Sequence, residues 1–178
     1  MPADVSNAFN VAFFFVDTAL AENTYLQPQK LHSLMFLSQS YYAVAFEGRK
    51  LMPAVFVADE RGPLEPNIYM AFSKGRPDID ADYFLSPEVI KFLGAIWGRF
   101  GNHSTGKIIK MIKETDAFKS AKDRGNRAEI KLDDMQTSFN HGKKLINVEG
   151  LIEPKIYRTQ TGKPVTVKAW TPGGKAAD

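Results

Sequence analysis

Cysteine is absent from the 178 residues of this chain, and histidine is scarce, with His32, His103 and His141 as its three members. Without thiols the chain forms neither disulfides nor thiolate metal sites, and a Cys–His catalytic pair is excluded. The histidines are widely separated, and none has the H-x-x-x-H spacing of a helical zinc site. We therefore predict neither a metal ion nor a cofactor, and the composition is compatible with a reducing cytosol.

Long apolar runs are also missing. None approaches the about 20 residues that a bilayer-spanning helix needs. The apolar part of the N-terminus lies between Asp4 and Asp17 and is not preceded by the basic region of a signal peptide. We expect a cytoplasmic protein with no membrane partner. The net charge of +3 is a mild excess of basic residues and weak support for nucleic-acid binding.

Two segments imitate functional motifs without completing them. Residues 101–107 match the phosphate-loop pattern G-x-x-x-x-G-K, but Ile108 stands where Ser or Thr would hold magnesium. A turn between two helices explains the same residues. Residues 78–82 imitate the start of a calcium loop, but Tyr83 and Val89 occupy the positions that need glycine and glutamate. Since no G-x-S-x-G motif occurs either, we predict no catalytic residues and no enzymatic activity.

The longest apolar helix pattern begins at Pro28, a residue suited to the first helical position. Phe36 and Leu37 widen its apolar face until the helix is apolar nearly all round, which is typical of a helix buried by its neighbours. Gly48 supplies a left-handed stop. The composition supports such a core, since 44% of residues are hydrophobic and 13 are phenylalanine.

The other elements follow from shorter patterns and capping residues. In the first half of the chain we predict an N-terminal helix over 4–21 capped by Asp4 or Ser6, a strand over 54–58, a turn over 60–63 and a short helix from Pro66 to Gly75. We then predict a helix from Ser86 to Gly101 and a further helix through Ile112 capped by Ser104 or Thr105. The last elements before the tail are a loop or frayed helix over 116–127, a brief extended piece over 130–132 and a helix from Asp133 to about Lys144.

Together these elements predict a mainly α (α+β) fold. It is a compact single-domain helical bundle around the buried central helix, with a short strand-and-turn insertion. We place this helical domain at 1–150. The tail differs in character, because two short β-rich runs flank a glycine turn, and we predict a C-terminal β-hairpin over 151–171 followed by a disordered segment over 172–178.

Basic residues cluster in the second half of the chain: Lys107, Lys110, Lys113, Lys119, Lys122, Arg124 and Arg127. A phosphate-contacting stripe would require them to share one face. Acidic residues are interspersed among them, so a solvated helix face is the better interpretation. Nucleic acid is therefore not expected as a partner, although a DNA-binding regulator of its own operon stays an alternative. A second alternative is an enzyme with an unrecognised hydrolytic or nucleotide site, first sought near His103 and Lys107.

The central stretch resembles the Panacea domain, a family associated with phages and toxin–antitoxin operons. The resemblance rests on Leu26-x-Pro28-x-Lys30-Leu31-His32-x-Leu34-x-Phe36-x-x-Gln39-x-Tyr41 and on Gly62-Pro63-x-x-Pro66-x-x-Tyr69-x-x-Phe72. Residues 97–101 and 130–139 are similar to later family elements, so the match spans about residues 5–140. The motif positions to which the resemblance assigns structural roles are Pro28, Lys30, Leu31, Gly62, Pro63 and Pro66.

The resemblance implies an antitoxin that binds and neutralises a cognate protein toxin, and one branch of the family delivers its toxin to the ClpXP protease as an adaptor. The chain departs from the family at 57–61, where an aromatic-Trp pair often precedes Gly-Pro, and at 115–118, where Thr-His and Pro-Trp are common. These departures bear on subfamily and partner choice more than on the fold.

A binding protein needs exposed aromatic and arginine side chains, since these dominate interface hot spots. The candidates for partner contact are Tyr41, Tyr42, Phe46, Arg49, Arg61, Tyr69, Phe72 and Arg76. Tyr83 is a further aromatic candidate. We expect at least half of these aromatics to be buried instead, because large aromatic side chains generally lie in cores.

Overall fold

Helices dominate the computed structural model of this chain, which describes residues 3–78, 84–140, and the backbone of 156–158 and 164–166. The described elements are α1 (Ala8–Ala21), α2 (Pro28–Ala45), β1 (Val57–Asp59), β2 (Gly62–Leu64), α3 (Pro66–Ala71) with a 3-10 turn (Phe72–Lys74), α4 (Pro87–Phe100), α5 (Thr105–Lys113), α6 (Asp116–Arg124), α7 (Leu132–Asn140), β3 (Ile156–Arg158) and β4 (Pro164–Thr166). The predicted mainly α (α+β) class is confirmed.

Helix α2 lies at the centre of the first unit, Met1–Ile146. It begins with Pro28 at its first position, and every residue from Leu31 to Ala43 is buried. Helices α1, α4, α5 and α7 and strand β2 all contact it. The predicted burial of the central helix is confirmed. The predicted left-handed stop is also present, because Gly48 has a φ of 85°.

The polar side chains inside α2 find partners close by. The hydroxyls of Ser38 and Ser40 donate to the backbone carbonyls four residues earlier, at 2.8 and 2.9 Å. The Gln39 Oε1 atom accepts a bond from the Met52 N–H at 3.2 Å. Within the described residues, the buried Tyr41 hydroxyl alone among buried side-chain polar atoms has no partner. Satisfied polar groups let a helix of mixed composition be enclosed on every side.

The N-terminal helix is shorter than predicted, and its cap is a different residue. It begins at Ala8, and the Asn7 side chain accepts a hydrogen bond from the backbone N–H two residues on. Asp4 and Val5 are held instead by backbone bonds to the segment after α2, at 3.1 and 2.8 Å. That pairing keeps them out of the helix, so the predicted caps Asp4 and Ser6 are wrong.

The strand prediction over 54–58 is shifted, and the predicted turn is partly strand. Val57 pairs with Leu64 and Asp59 with Gly62 in an antiparallel hairpin, which leaves Glu60 and Arg61 as its turn. Gly62 has a φ of 125°, a conformation that favours glycine. The local β-rich pattern did not show where the chain reverses direction. The position of Gly62 favours the reversal directly before it.

The other edge of β1 meets residues 128–130, so the brief extended piece predicted at 130–132 is shifted, and Leu132 already belongs to α7. The Ala58 N–H donates to the Ala128 carbonyl at 2.9 Å, and the Ile130 N–H donates to the Phe56 carbonyl at 2.7 Å. The hairpin thus pairs with residues about seventy positions later in the chain. A contact between residues so far apart cannot be predicted from a local sequence pattern.

Of residues 116–127, predicted as a loop or frayed helix, residues 116–124 form the regular helix α6 and residues 125–127 lie outside it. The Thr115 hydroxyl accepts a bond from the Phe118 N–H at 3.3 Å, so the helix is capped. Ala117, Phe118 and Ala121 are buried. The prediction was wrong because alanines supply most of this narrow apolar stripe and charged residues surround it. Helix α7 is confirmed through Asn140, and its predicted end near Lys144 lies outside the described residues.

Residues 101–104 form a turn between helices α4 and α5, and residues 105–107 begin α5, as the helix-to-helix interpretation requires. The Ser86 and Ser104 hydroxyls cap the two helices, each at 3.3 Å. Gly101 is buried against the indole of Trp97, and a Cβ built there would lie 2.9 Å from that ring and 2.6 Å from the Trp97 carbonyl oxygen. The glycine therefore serves close packing at this turn.

The second unit, Asn147–Asp178, contains the strands of the predicted C-terminal hairpin. Ile156 pairs with Thr166 and Arg158 with Pro164 in antiparallel register. The remaining residues of 151–171 and the predicted disordered segment 172–178 lie outside the described residues. Among the parts of the chain that the structure describes, no helix combines the length and hydropathy of a membrane span.

We expect Gly101→Ala to destabilise the protein by about 1–3 kcal/mol, because the added methyl group overlaps Trp97. The measurement is urea-induced unfolding followed by circular dichroism. Gly98→Ala is the matched control, since Gly98 lies in α4 and a Cβ added there would meet no atom within 4 Å, and it should raise stability by about 0.5–1 kcal/mol. Equal effects of the two changes would contradict the packing role of Gly101.

Candidate functional site

The family-motif residues meet where the start of α2 packs against β2 and α3. Pro28 and Pro66 occupy the first turns of α2 and α3. The Lys30 ammonium donates to the Gly101 carbonyl, and Leu31 is buried. Gly62 and Pro63 begin β2. The structural roles that the resemblance implies for these positions stay a prediction.

Asp59 is the charged centre of this region, and it is only 6% exposed. Its Oδ2 atom accepts a bond from the Arg127 Nε atom at 2.8 Å, and its Oδ1 atom accepts one from the Arg61 backbone N–H at 3.1 Å. The Arg61 Nε atom lies 3.6 Å from the same carboxylate. We call Asp59, Arg61, Tyr69 and Arg127 the Asp59 cluster.

The electrostatics of the cluster favour a charged Asp59. Burial alone raises the pKa of this carboxyl, but the hydrogen bonds from Arg61 and Arg127 and the two guanidinium charges outweigh it and bring the pKa below its ordinary value. A hydrogen bond to Tyr69, followed by the Asp59 charge, raises the pKa of Arg61. One carboxylate is thus shared by two guanidiniums.

His32 lies beneath the cluster as a neutral imidazole. Its Nδ1 atom accepts a bond from the Glu65 N–H at 3.3 Å, which requires an unprotonated nitrogen. Burial lowers the pKa of His32 to about 4. Glu65 is itself buried and caps α3, because its carboxylate accepts the Ile68 N–H at 2.6 Å. His32 thus supports the segment that carries Tyr69.

The cluster presents a polar and aromatic surface. Side chains of Arg61 and Arg127 are 56% and 55% exposed, and Tyr69 is 39% exposed. Met70, next to Tyr69, is 72% exposed. A shallow cleft of about 30 Å³ is lined by His32, Arg61 and Tyr69, among others. The arrangement offers guanidinium donors, a phenol and apolar area, which suits recognition of a protein surface.

A second group of predicted contact residues lies at the end of α2. Tyr42 and Arg49 both donate to the Asp4 carboxylate, and Phe46 stacks on Tyr42 with ring centroids 4.1 Å apart. Tyr42 is 4% exposed, whereas Phe46 is half-buried and Arg49 exposed. Burial first, then the bond to Asp4, raises the pKa of Tyr42. The group fastens the N-terminal segment to α2.

A third group joins α1 to the 3-10 turn after α3. Arg76 pairs with Asp17, and its guanidinium lies 4.9 Å from the ring centroid of Phe13. Phe72 is half-buried and packs on that same Phe13 ring, at 5.8 Å between centroids. Tyr41 belongs to none of the groups, because its ring is in the core between Phe100 and Phe139.

The predicted contact residues therefore do not form one patch. Arg61 and Tyr69 lie together, Phe46 with Arg49 and Phe72 with Arg76 lie in the other two groups, and Tyr41 and Tyr42 are buried. Tyr83 lies outside the described residues. Two members of the Asp59 cluster were missed, Asp59 and Arg127. An acid directly after a strand was the available signal for Asp59, and nothing local singles out Arg127 among its charged neighbours.

The remaining chemical candidates stay separate. His103 is half-buried with its ring edge-on to Phe100, at 6.2 Å between centroids, and Lys107 is exposed on α5. Within the described residues, no group of three or more His, Asp or Glu side chains is arranged to hold a metal ion. His141 and most of 78–82 lie outside the described residues.

No family model, curated protein or solved structure matches this chain. Function is accordingly argued from the geometry of the Asp59 cluster and from the sequence motifs that meet beside it.

We expect the free energy of unfolding to fall by up to about 3 kcal/mol as the pH is lowered from about 6.5 toward 4. The His32 pKa is lowered to about 4 in the folded protein, so the unfolded chain takes up the proton first and protonation favours unfolding. Stability from Asp59 is lost only at more acidic pH, below the ordinary carboxyl value of 3.8. Urea unfolding between pH 7 and pH 4.5 isolates His32.

His32→Gln should flatten this pH dependence, because glutamine keeps a hydrogen-bond acceptor without titrating. His103→Gln is the matched control and should keep the wild-type slope. An unchanged slope in His32→Gln would show that the imidazole is not held neutral by burial.

Proposed function

We propose that this protein is an antitoxin that binds and neutralises a cognate protein toxin, and that the Asp59 cluster is its contact surface. The observation that carries the proposal is the exposure of Arg61, Tyr69 and Arg127 over one buried carboxylate. Arginine and tyrosine are enriched among hot-spot residues. The resemblance to the Panacea domain supports the antitoxin role.

The geometry favours binding because the arginines are already oriented. Each guanidinium places its Nε atom near Asp59, at 2.8 Å for Arg127 and 3.6 Å for Arg61, while the two side chains stay 55% and 56% exposed. Holding a long side chain in place before association lowers the entropy cost of binding. Guanidiniums then recognise carboxylates or carbonyls of a partner through paired donors.

The support beneath the cluster is rigid. His32 holds the Glu65 backbone, Glu65 caps α3, and α3 carries Tyr69. Since both His32 and Glu65 are buried, the phenol is presented from a fixed helix instead of a loose loop. A surface prepared in this way suits a stable complex.

Delivery of the bound toxin to the ClpXP protease is the finer proposal, and it rests on the resemblance. An adaptor needs a second contact surface for the protease, separate from the toxin-binding one. The groups at Asp4 and Asp17 provide exposed Arg49 and Arg76 away from the Asp59 cluster. A cytoplasmic location follows from a partnership with this protease.

The regulator alternative needs one continuous basic face. Arg124 lies 3.6 Å from Asp134, and Arg127 is bonded to Asp59, so two of the basic residues are engaged with carboxylates. Such pairing weakens the field that phosphates would meet. The protein-binding proposal is therefore preferred over DNA binding.

The test is co-expression with the adjacent gene, scoring rescue of growth and co-purification of the two products. Wild-type protein should rescue growth and form a stable complex. The Arg61→Ala/Tyr69→Ala double variant should bind about tenfold or more weakly, since two central hot-spot side chains are removed. Arg124→Ala is the matched control, as an arginine paired with a carboxylate outside the cluster, and it should change affinity by less than about twofold.

Rescue without a complex would contradict neutralisation by binding. A complex that tolerates the double variant would keep the antitoxin role and move the contact surface away from the Asp59 cluster. Circular dichroism of both variants verifies that they remain folded.

A further inference from the structure

A lysine-lined cleft adjoins the β1–β2 turn and shares Asp59 with the His32 cleft. It has a volume of about 310 Å³ and is formed by the turn, the end of α5 and one face of α6. Its lining residues are Asp59, Glu60, Lys113, Phe118, Lys119, Lys122 and Asp123. It is about ten times larger than the cleft over His32 and contains no histidine. No motif in the sequence marks it.

The charged side chains that line the cleft differ in how far hydrogen bonds and ion pairs compensate them. Asp59 is already compensated by Arg61 and Arg127. The Lys113 ammonium donates to the Glu60 carbonyl, which occupies one of its three hydrogens. Lys119 and Lys122 are exposed and make no side-chain hydrogen bond or ion pair with any described residue. The cleft therefore holds three ammonium groups with donors to spare, against the carboxylates of Glu60 and Asp123.

The floor of the cleft is apolar. Phe118 lines it and is 4% exposed. An inorganic anion would use the ammonium groups and leave this floor uncovered. A peptide can cover the floor with an apolar side chain and place its acidic neighbours on the lysines.

The spacing of charges distinguishes a peptide from a nucleic acid. A DNA duplex carries one charge per about 1.7 Å of its axis, so a bound duplex would bring phosphates to Glu60 and Asp123 as well as to the lysines. Alternate side chains of an extended peptide are about 7 Å apart on one face. Such a peptide can meet the lysines with carboxylates while its other positions stay uncharged.

We propose that this cleft binds an extended acidic segment of the protein partner, with carboxylates on Lys113, Lys119 and Lys122 and an apolar residue over Phe118. The proposal deepens the proposed function, on which it rests, by giving the chemistry of the partner segment. It adds a second contact next to the Asp59 cluster, because Asp59 lines the cleft and is also bonded to both arginines. The partner would then span the β1–β2 turn.

The probe is a fluorescein-labelled peptide of about ten residues, in which glutamates alternate with serines around a central leucine. Fluorescence anisotropy with the full chain should show saturable binding, and the same peptide with glutamine in place of glutamate should not bind. Lys119→Ala/Lys122→Ala should weaken binding by about tenfold, as expected for two exposed charge contacts. Lys107→Ala/Lys110→Ala is the matched control, because it removes the same charge from α5 outside the cleft, and it should change binding by less than about twofold.

Three results of the anisotropy experiment would overturn the proposal. The first is no binding of the acidic peptide, and the second is binding that the control variant weakens as much as the cleft variant. The third is tighter binding of a labelled DNA duplex than of the peptide, lost in the cleft variant, which would assign the cleft to nucleic acid. The co-purification experiment distinguishes failure of the cleft proposal from failure of the antitoxin proposal. A toxin complex that persists undiminished in Lys119→Ala/Lys122→Ala overturns the cleft assignment and leaves the antitoxin proposal standing.

Discussion

The enclosure of α2 on every side is the constraint from which the rest of the structure follows. Its buried run from Leu31 to Ala43 includes histidine, serine, glutamine and tyrosine, and burying such groups costs free energy unless they are hydrogen-bonded. The serines use the helix's own carbonyls, while Gln39 and His32 require backbone N–H groups from the segments that follow. The central helix therefore dictates where Met52 and Glu65 must lie, and through them where the hairpin and α3 are placed.

The Asp59 cluster depends on the placement of that hairpin. A buried carboxylate is tolerated only when charges and donors compensate it, and Asp59 gains both from Arg61 in its own turn and Arg127 after α6. Two guanidiniums on one carboxylate leave an excess of positive charge at the surface. Residues of the same hairpin line both the cleft over His32 and the lysine-lined cleft, so one structural element contributes to both candidate contact surfaces. The proposed contact surface is thus built on groups that the fold needs to keep satisfied.

Several local features could be predicted from the sequence. Pro28 at a helix start, Ser86 and Ser104 as caps, Gly48 as a left-handed stop and the burial of α2 were all predicted and are confirmed. Each rests on interactions between residues a few positions apart. Helix α6 was missed, although its cap is also local, because Ala117 and Ala121 carry too little apolar character to mark a stripe among charged neighbours. The shifted strand and the shortened α1 were misjudged because pairing with distant backbone decides their ends.

In the candidate site, too, some features could be predicted from the sequence and others could not. The sequence determined which residue types were available for binding, the order of the helices and the apolar pattern that buries α2, since composition and periodicity act through near neighbours. Only the tertiary structure decided that Tyr41 and Tyr42 are buried and that Arg61 and Tyr69 share a surface. It also decided that Arg127 bonds to Asp59, which lies 68 positions earlier in the chain. The physical reason is that side-chain exposure and charge pairing depend on which elements pack together, and many different packings are compatible with one local pattern.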